Sequence, residues 1–265
     1  MIVYNKTNIG YSHVEKNVVC QDYSEKYVDD NYVIITACDG HGGDIYIRSD
    51  RGSKFASQAI IDVFKSYDKQ ELESIITGNN LNKTKLQILC RWNELIERDY
   101  SIENFTDDEL KQLDDEQVFK LEHNFVIAYG TTLNAAILFQ DYIICLQIGD
   151  GGVFLFNDDK LELAFPDNNE NVANITYSLC GDKAYEHLFI GVFNKNDWNG
   201  VFVCTDGLLG PYQTYKNLKY YFLDTIIKLF SIVTIETFDI VDKFIIDLAM
   251  NIGSGDDVSF SLIHY

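Results

Sequence analysis

Six segments carry the apolar, β-branched and aromatic pattern of strands: Tyr32–Cys38, Thr132–Phe139, Tyr142–Ile148, Val153–Asn157, Val201–Thr205 and Val258–Ile263. Elsewhere a helical period replaces it. Phe55, Ala59 and Val63 fall on one face of a helix over Gly52–Phe64, and Leu86, Leu89, Trp92 and Ile96 on one over Asn82–Arg98. Two more helices are predicted toward the C-terminus, Tyr215–Phe230 and Ile235–Asn251. Thr106-Asp107-Asp108-Glu109 has the spacing of a capping box, which opens a helix to about Leu121. Strands therefore flank a central helical block, and a helical pair precedes the last strand. That order is not strict β-α-β alternation. It predicts an α+β fold of mixed, mainly antiparallel sheets, sheet packed on sheet, with helices outside.

Composition narrows the class. With 265 residues, two prolines and no Gly/Ser linker, repeat or low-complexity run, residues 1–265 are expected to form a single domain. Hydrophobic residues at 46% and aromatics at 14% exclude intrinsic disorder. The net charge of −20 repels phosphate backbones and anionic lipid, so no nucleic acid and no membrane is expected as a partner. Divalent cations and basic protein segments suit such a field. The acidic stretch Glu103–Glu122 reads as a solvated helix face. Residues Met1–Gly10 contain no continuous apolar run, so no secretory leader is expected. The uncharged stretch from His123 to Asp141 is broken by Asn124, Gly130 and Asn134, unlike a bilayer-spanning helix. Six cysteines contain no CxxC pair, and Cys38 and Cys145 sit in apolar runs, as small hydrophobes do. A reduced, cytoplasmic monomer is the expectation.

Aspartates recur at strand ends before glycine. They stand in Asp39-Gly40-His41-Gly42-Gly43, Gly149-Asp150-Gly151-Gly152 and Thr205-Asp206-Gly207, with Gln21-Asp22 near the start and Asp256-Asp257 before the last strand. A strand end fixes a carboxylate, and a following glycine lets a backbone carbonyl approach. Hard divalent cations want such oxygens. Any one Asp-Gly is a common turn signal, but a turn needs neither the histidine nor the three glycines of Asp39–Gly43. No G-x-S-x-G elbow and no G-x-x-x-x-G-K-[ST] loop offers another chemistry.

These motifs, in this order from about Gly10 to Leu262, resemble those of the metal-dependent Ser/Thr protein phosphatases of the 2C type, in a compact microbial spelling. Gly130-Thr131-Thr132-Leu133 is similar to that family's Gly-Thr/Ser-Thr strand start, and Asp256-Asp257-Val258-Ser259 to its closing motif. The resemblance implies a four-layer α/β/β/α sandwich with a centre for two Mg²⁺ or Mn²⁺ ions, and possible room for a third. It implies metal ligation by Asp22, Asp39, the Gly40 carbonyl, Asp206 and Asp256, with Asp150 toward the third ion. His41 would be the general acid, beside Asp39 and Asp206 in the catalytic set. The implied reaction is hydrolysis of phosphoserine or phosphothreonine in a protein substrate by a metal-bridging water.

Departures from the pattern concern the phosphate. Relatives place an arginine five residues before the early aspartate, where this chain has Asn17. His13 is the expected replacement, with Lys16, Arg48 or Arg51 as the other cations in reach. Gln21 replaces a glutamate, and the third-metal motif reads Asp-Gly-Gly instead of Asp-Ser-Arg. Two other readings stand beside this one: an inactive phosphatase-fold binding module, and a phosphatase of small phosphate esters.

Overall fold

The computed structural model describes residues 1–165, 176–210 and 235–265. One five-stranded sheet runs in the order β1 (Ile2–Asn8), β10 (Val258–His264), β9 (Gly200–Cys204), β6 (Gly152–Phe156) and β7 (Leu161–Leu163). The second runs β2 (Tyr23–Val28), β3 (Tyr32–Cys38), β4 (Leu133–Phe139), β5 (Tyr142–Ile148) and β8 (Phe189–Asn194). Every pairing among the described residues is antiparallel, in keeping with the expectation of mainly antiparallel sheets. Tight reversals such as Asp29–Asn31 and Gln140–Asp141 join neighbours directly, so no parallel crossover is needed.

Side-chain alternation builds the layers. Val33, Ile35, Ala37, Ala136, Leu138, Ile143 and Cys145 project from the second sheet against Val153, Leu155, Val201, Val203 and Ile263 of the first. On the outer side of the second sheet, Ile34, Cys38, Ala135, Ile137, Ile144 and Leu146 pack against α2 (Ser49–Ser66) and α4 (Leu81–Ile102). On the outer side of the first sheet, Phe154, Phe156, Phe202, Phe260 and Leu262 pack against Val241 and Ile245 of the helix Ile235–Asp247 and Leu248 of the π-helical turn Leu248–Ile252. The result is four layers, helix, sheet, sheet, helix. Inner strands are buried on both faces, hence their near-continuous apolar runs.

The central block differs from the single helix that the capping box predicts. Thr106 and Glu109 do form the box, but α5 stops at Asp107–Leu110. Asp114 then accepts from the Gln117 amide in a second box, which restarts the chain as α6 (Asp115–His123). The other short helices are α1 (Tyr11–Lys16), α3 (Lys69–Ile76), α7 (Ala184–His187) and α8 (Asp206–Leu209), which makes Ile235–Asp247 α9. The helix expected over 215–230 lies outside the described residues. No described helix is long and apolar enough to cross a membrane. All six cysteines are free thiols.

Candidate metal centre

Asp39 follows β3 directly, Asp150 occupies the tight turn between β5 and β6, and Asp206 opens α8 after β9. The register sets Cys38 at one strand end and pairs Gly152 with Cys204, so the three carboxylates emerge at one end of the two sheets. One oxygen of each lies within 4.8 Å of the others. Asp39 is locked from behind. Its carbonyl accepts from Thr131 Oγ1 and the Thr132 amide, both at 2.8 Å, and its amide donates to Thr132 Oγ1 at 3.0 Å. That is the physical work of Gly130-Thr131-Thr132. Gly40 is buried and bridges Thr131, its amide donating to the Gln21 carbonyl. The Asp150 turn needs a glycine before it, since Gly149 has φ of +106°. Thr176 Oγ1 donates to Asp150 Oδ2 at 2.6 Å.

Asp22 is buried beside this group and accepts from Thr205 Oγ1 at 2.7 Å. Burial pushes the Asp22 and Asp39 carboxyls well above the usual carboxylate range, and the neighbouring aspartates push in the same direction; the Thr205 bond opposes part of the shift at Asp22. Asp206 is raised to about 6, again by burial first and then by Asp150 and Asp256. Carboxylates crowded this closely and partly buried are short of positive charge. Their donors are all hard oxygens, which fit Mg²⁺ or Mn²⁺ and not a thiolate metal.

Asp256 is exposed, and its Oδ1 accepts from the Asp257 amide at 2.9 Å. It lies within electrostatic reach of Asp22, Asp39 and Asp206, outside the converging group. Asp257 behaves differently. Buried, it accepts from the Gly10 and Gln21 amides, each at 2.7 Å, and so straps the N-terminal segment under the site. The expectation had His13 facing phosphate. Instead its Nδ1 lies 2.9 Å from Asp257 Oδ2, off the line of a good hydrogen bond. Asn17 is the left-handed C-cap of α1, at φ 54°.

Of the alternative arginines, Arg48 is fully committed and Arg51 is engaged through one nitrogen. Arg48, 1% exposed, spends its donors on Glu109 (2.7 and 3.0 Å), the Glu103 and Asn104 carbonyls and Tyr129. Arg51 binds Asp99 and Glu103. His41 packs edge-on against Tyr46, with ring centroids 4.8 Å apart. Burial lowers its pKa from the ordinary imidazole value, and Asp150 opposes that. The thiols near the site are inert: burial pushes Cys38 up to about 12 and Cys204 higher. Sequence reasoning missed Thr205, Thr176 and the strap role of Asp257. Only a threonine preceding Asp206 hinted at the first.

Comparison with known proteins agrees with this fold. A family model described as protein phosphatase 2C matches residues 9–238. A search of curated protein sequences finds no match. Among solved structures, a bacterial serine phosphatase superposes with a TM-score of 0.62 at 18% identity, covering 99% of this chain and 96% of that one. The Ser/Thr phosphatase Stp1 of Staphylococcus aureus gives 0.59 at 17%, covering 99% and 94%. The catalytic domain of the phosphatase PstP, solved with two manganese ions, gives 0.56 at 16%, covering 98% and 96%.

Proposed function

Because this chain belongs to the protein phosphatase 2C family, we propose that it hydrolyses phosphoserine or phosphothreonine in protein substrates with the help of Mg²⁺ or Mn²⁺. The observation that carries the reading is the convergence of one oxygen each of Asp39, Asp150 and Asp206 within 4.8 Å. These three side chains, the Gly40 carbonyl and, from the flank, Asp22 and Asp256 would hold two ions and a weaker third. Bound there, the ions offset the carboxylate charge, lower the pKa of water and meet the charge of the phosphoryl group.

The remaining steps belong to the chain itself. Thr131 and Thr132 hold the Asp39 backbone in place, and Thr205 holds the Asp22 carboxylate. His41 stands on the loop after Asp39, where an imidazole can pass a proton to the leaving seryl or threonyl oxygen. Water adds to phosphorus, the P–O bond to the side chain breaks, and the products are inorganic phosphate and a free hydroxyl. With Arg48 committed to Glu109 and Arg51 paired with Asp99 and Glu103 through Nη1, phosphate recognition is assigned chiefly to bound cations. We read residues 1–265 as one catalytic unit, a monomer, working in the reducing cytoplasm where its six free thiols persist. The test is phosphate release from a phosphothreonine peptide in millimolar Mn²⁺ and again with excess chelator. Release only with the metal supports the reading; equal release in both refutes it.

A further inference from the structure

We propose that Asn134 and Gln147 hold buried water between the two sheets, directly below the carboxylate cluster, and that this water braces Asp39 and the Asp150 turn. Asn134 of β4 and Gln147 of β5 are cross-strand partners, and Asn134 also faces Ala37 of β3. Their neighbours at alternate positions, Ala136, Leu138, Ile143 and Cys145, line the core between the sheets, so both amides lie on that inner face. Asp39 stands two residues past Ala37, and Asp150 three past Gln147. The amides therefore floor the site.

Both are short of partners. Asn134 is fully buried, and neither its Nδ2 nor its Oδ1 has a hydrogen-bond partner in the protein. Gln147 is oriented by its Nε2, which donates to the Gly151 carbonyl at 2.8 Å, and this leaves Oε1 buried and unpaired. Native interiors do not leave three such atoms at one place without a ligand. The ligand's chemistry follows from the set. A cation could satisfy the two oxygens but would be repelled by the N–H donor. Water accepts from Nδ2 and donates to Oδ1 and Oε1. Gly151 makes the room: a Cβ there would come 2.3 Å from Asn134 Nδ2 and 2.5 Å from the Cys204 carbonyl. That accounts for Asp-Gly-Gly in a turn where relatives carry a serine.

The bracing rests on the reading of Asp39, Asp150 and Asp206 as cation ligands, and Mn²⁺ binding by the wild type separates the failure of one from the failure of the other. The experiment is a crystal structure at a resolution that places waters, together with Mn²⁺ titration, on the wild type and on Asn134→Leu. In the wild type, density is expected within about 2.7–3.2 Å of the Asn134 and Gln147 amides. In Asn134→Leu that density is lost and the Kd for Mn²⁺ rises roughly tenfold, as for other supports of metal ligands. Should that variant not fold, Gln147→Met is expected to do the same. Amides bonded to each other with no density between them, density unchanged in the variant, or unchanged Mn²⁺ affinity in a metal-binding protein would each overturn the proposal.

Discussion

At the site, burial divides neighbouring residues of the same chemistry into different jobs. Asp256 and Asp257 are adjacent carboxylates, yet one is exposed beside the cluster and the other is buried as a strap for Gly10 and Gln21. Asp39→Ala and Asp206→Asn are expected to lower phosphate release by about 100-fold or more while circular dichroism stays unchanged, because each removes an oxygen needed to hold cation. Retained turnover in either variant would contradict the assignment. His13→Ala is expected to lower the melting temperature and leave KM for a phosphopeptide unchanged, since its partner is Asp257. A raised KM with unchanged stability would return His13 to the phosphate. The aspartates themselves were legible because Asp-Gly recurs at three strand ends and the first continues into His41-Gly42-Gly43, which a turn does not need. Which cations were free was not legible, because Arg48 and Arg51 are neutralised by Glu109, Asp99 and Glu103, residues some fifty to sixty positions away.

Among the elements, Arg48 joins the start of α2 to α5. The buried guanidinium binds Glu109 in a two-pronged pair and lies over Phe105, 4.9 Å from the ring centroid. Breaking such a pair from the buried side is expected to cost about 3–5 kcal/mol, so Arg48→Leu should unfold at markedly lower denaturant concentration; an unchanged midpoint would show the clamp to be idle. Burial alone would raise Glu109, but Arg48 and the Thr106 donors outweigh it and hold the carboxyl at about 2. A depressed carboxyl stabilises above its unfolded value, and that contribution fades as pH falls from about 4.5 toward 2. Among strands, the six interior ones were readable as apolar runs. The four that escaped, β1, β2, β7 and β8, are the four sheet edges. Edges are half-exposed and carry polar residues such as Glu25, Lys26, Asn5 and Lys6, so their periodicity is weak. The helix α3 did leave a signal, the Asp68–Glu71 capping box.

Taken whole, the molecule carries a net charge of −20 and gathers part of it at one end of the sheets. Asp22, Asp39 and Asp206 have folded-state pKa values above their unfolded ones, so between about pH 4 and 6 the native state binds more protons than the unfolded chain. Stability of chelator-stripped protein should therefore fall as pH rises through that window, as thermal melts at stepped pH can show; a rise would remove the crowding. Cation binding to the native state alone adds stability, about 2.7 kcal/mol at a hundredfold excess over Kd. A melting temperature indifferent to millimolar Mn²⁺ would argue against the centre. Most direct is calorimetric titration of Mn²⁺ into chelator-stripped wild type and Asp39→Ala. Saturable binding to the wild type that disappears in Asp39→Ala is the expected result; no binding to the wild type, or equal binding to both, would contradict the account.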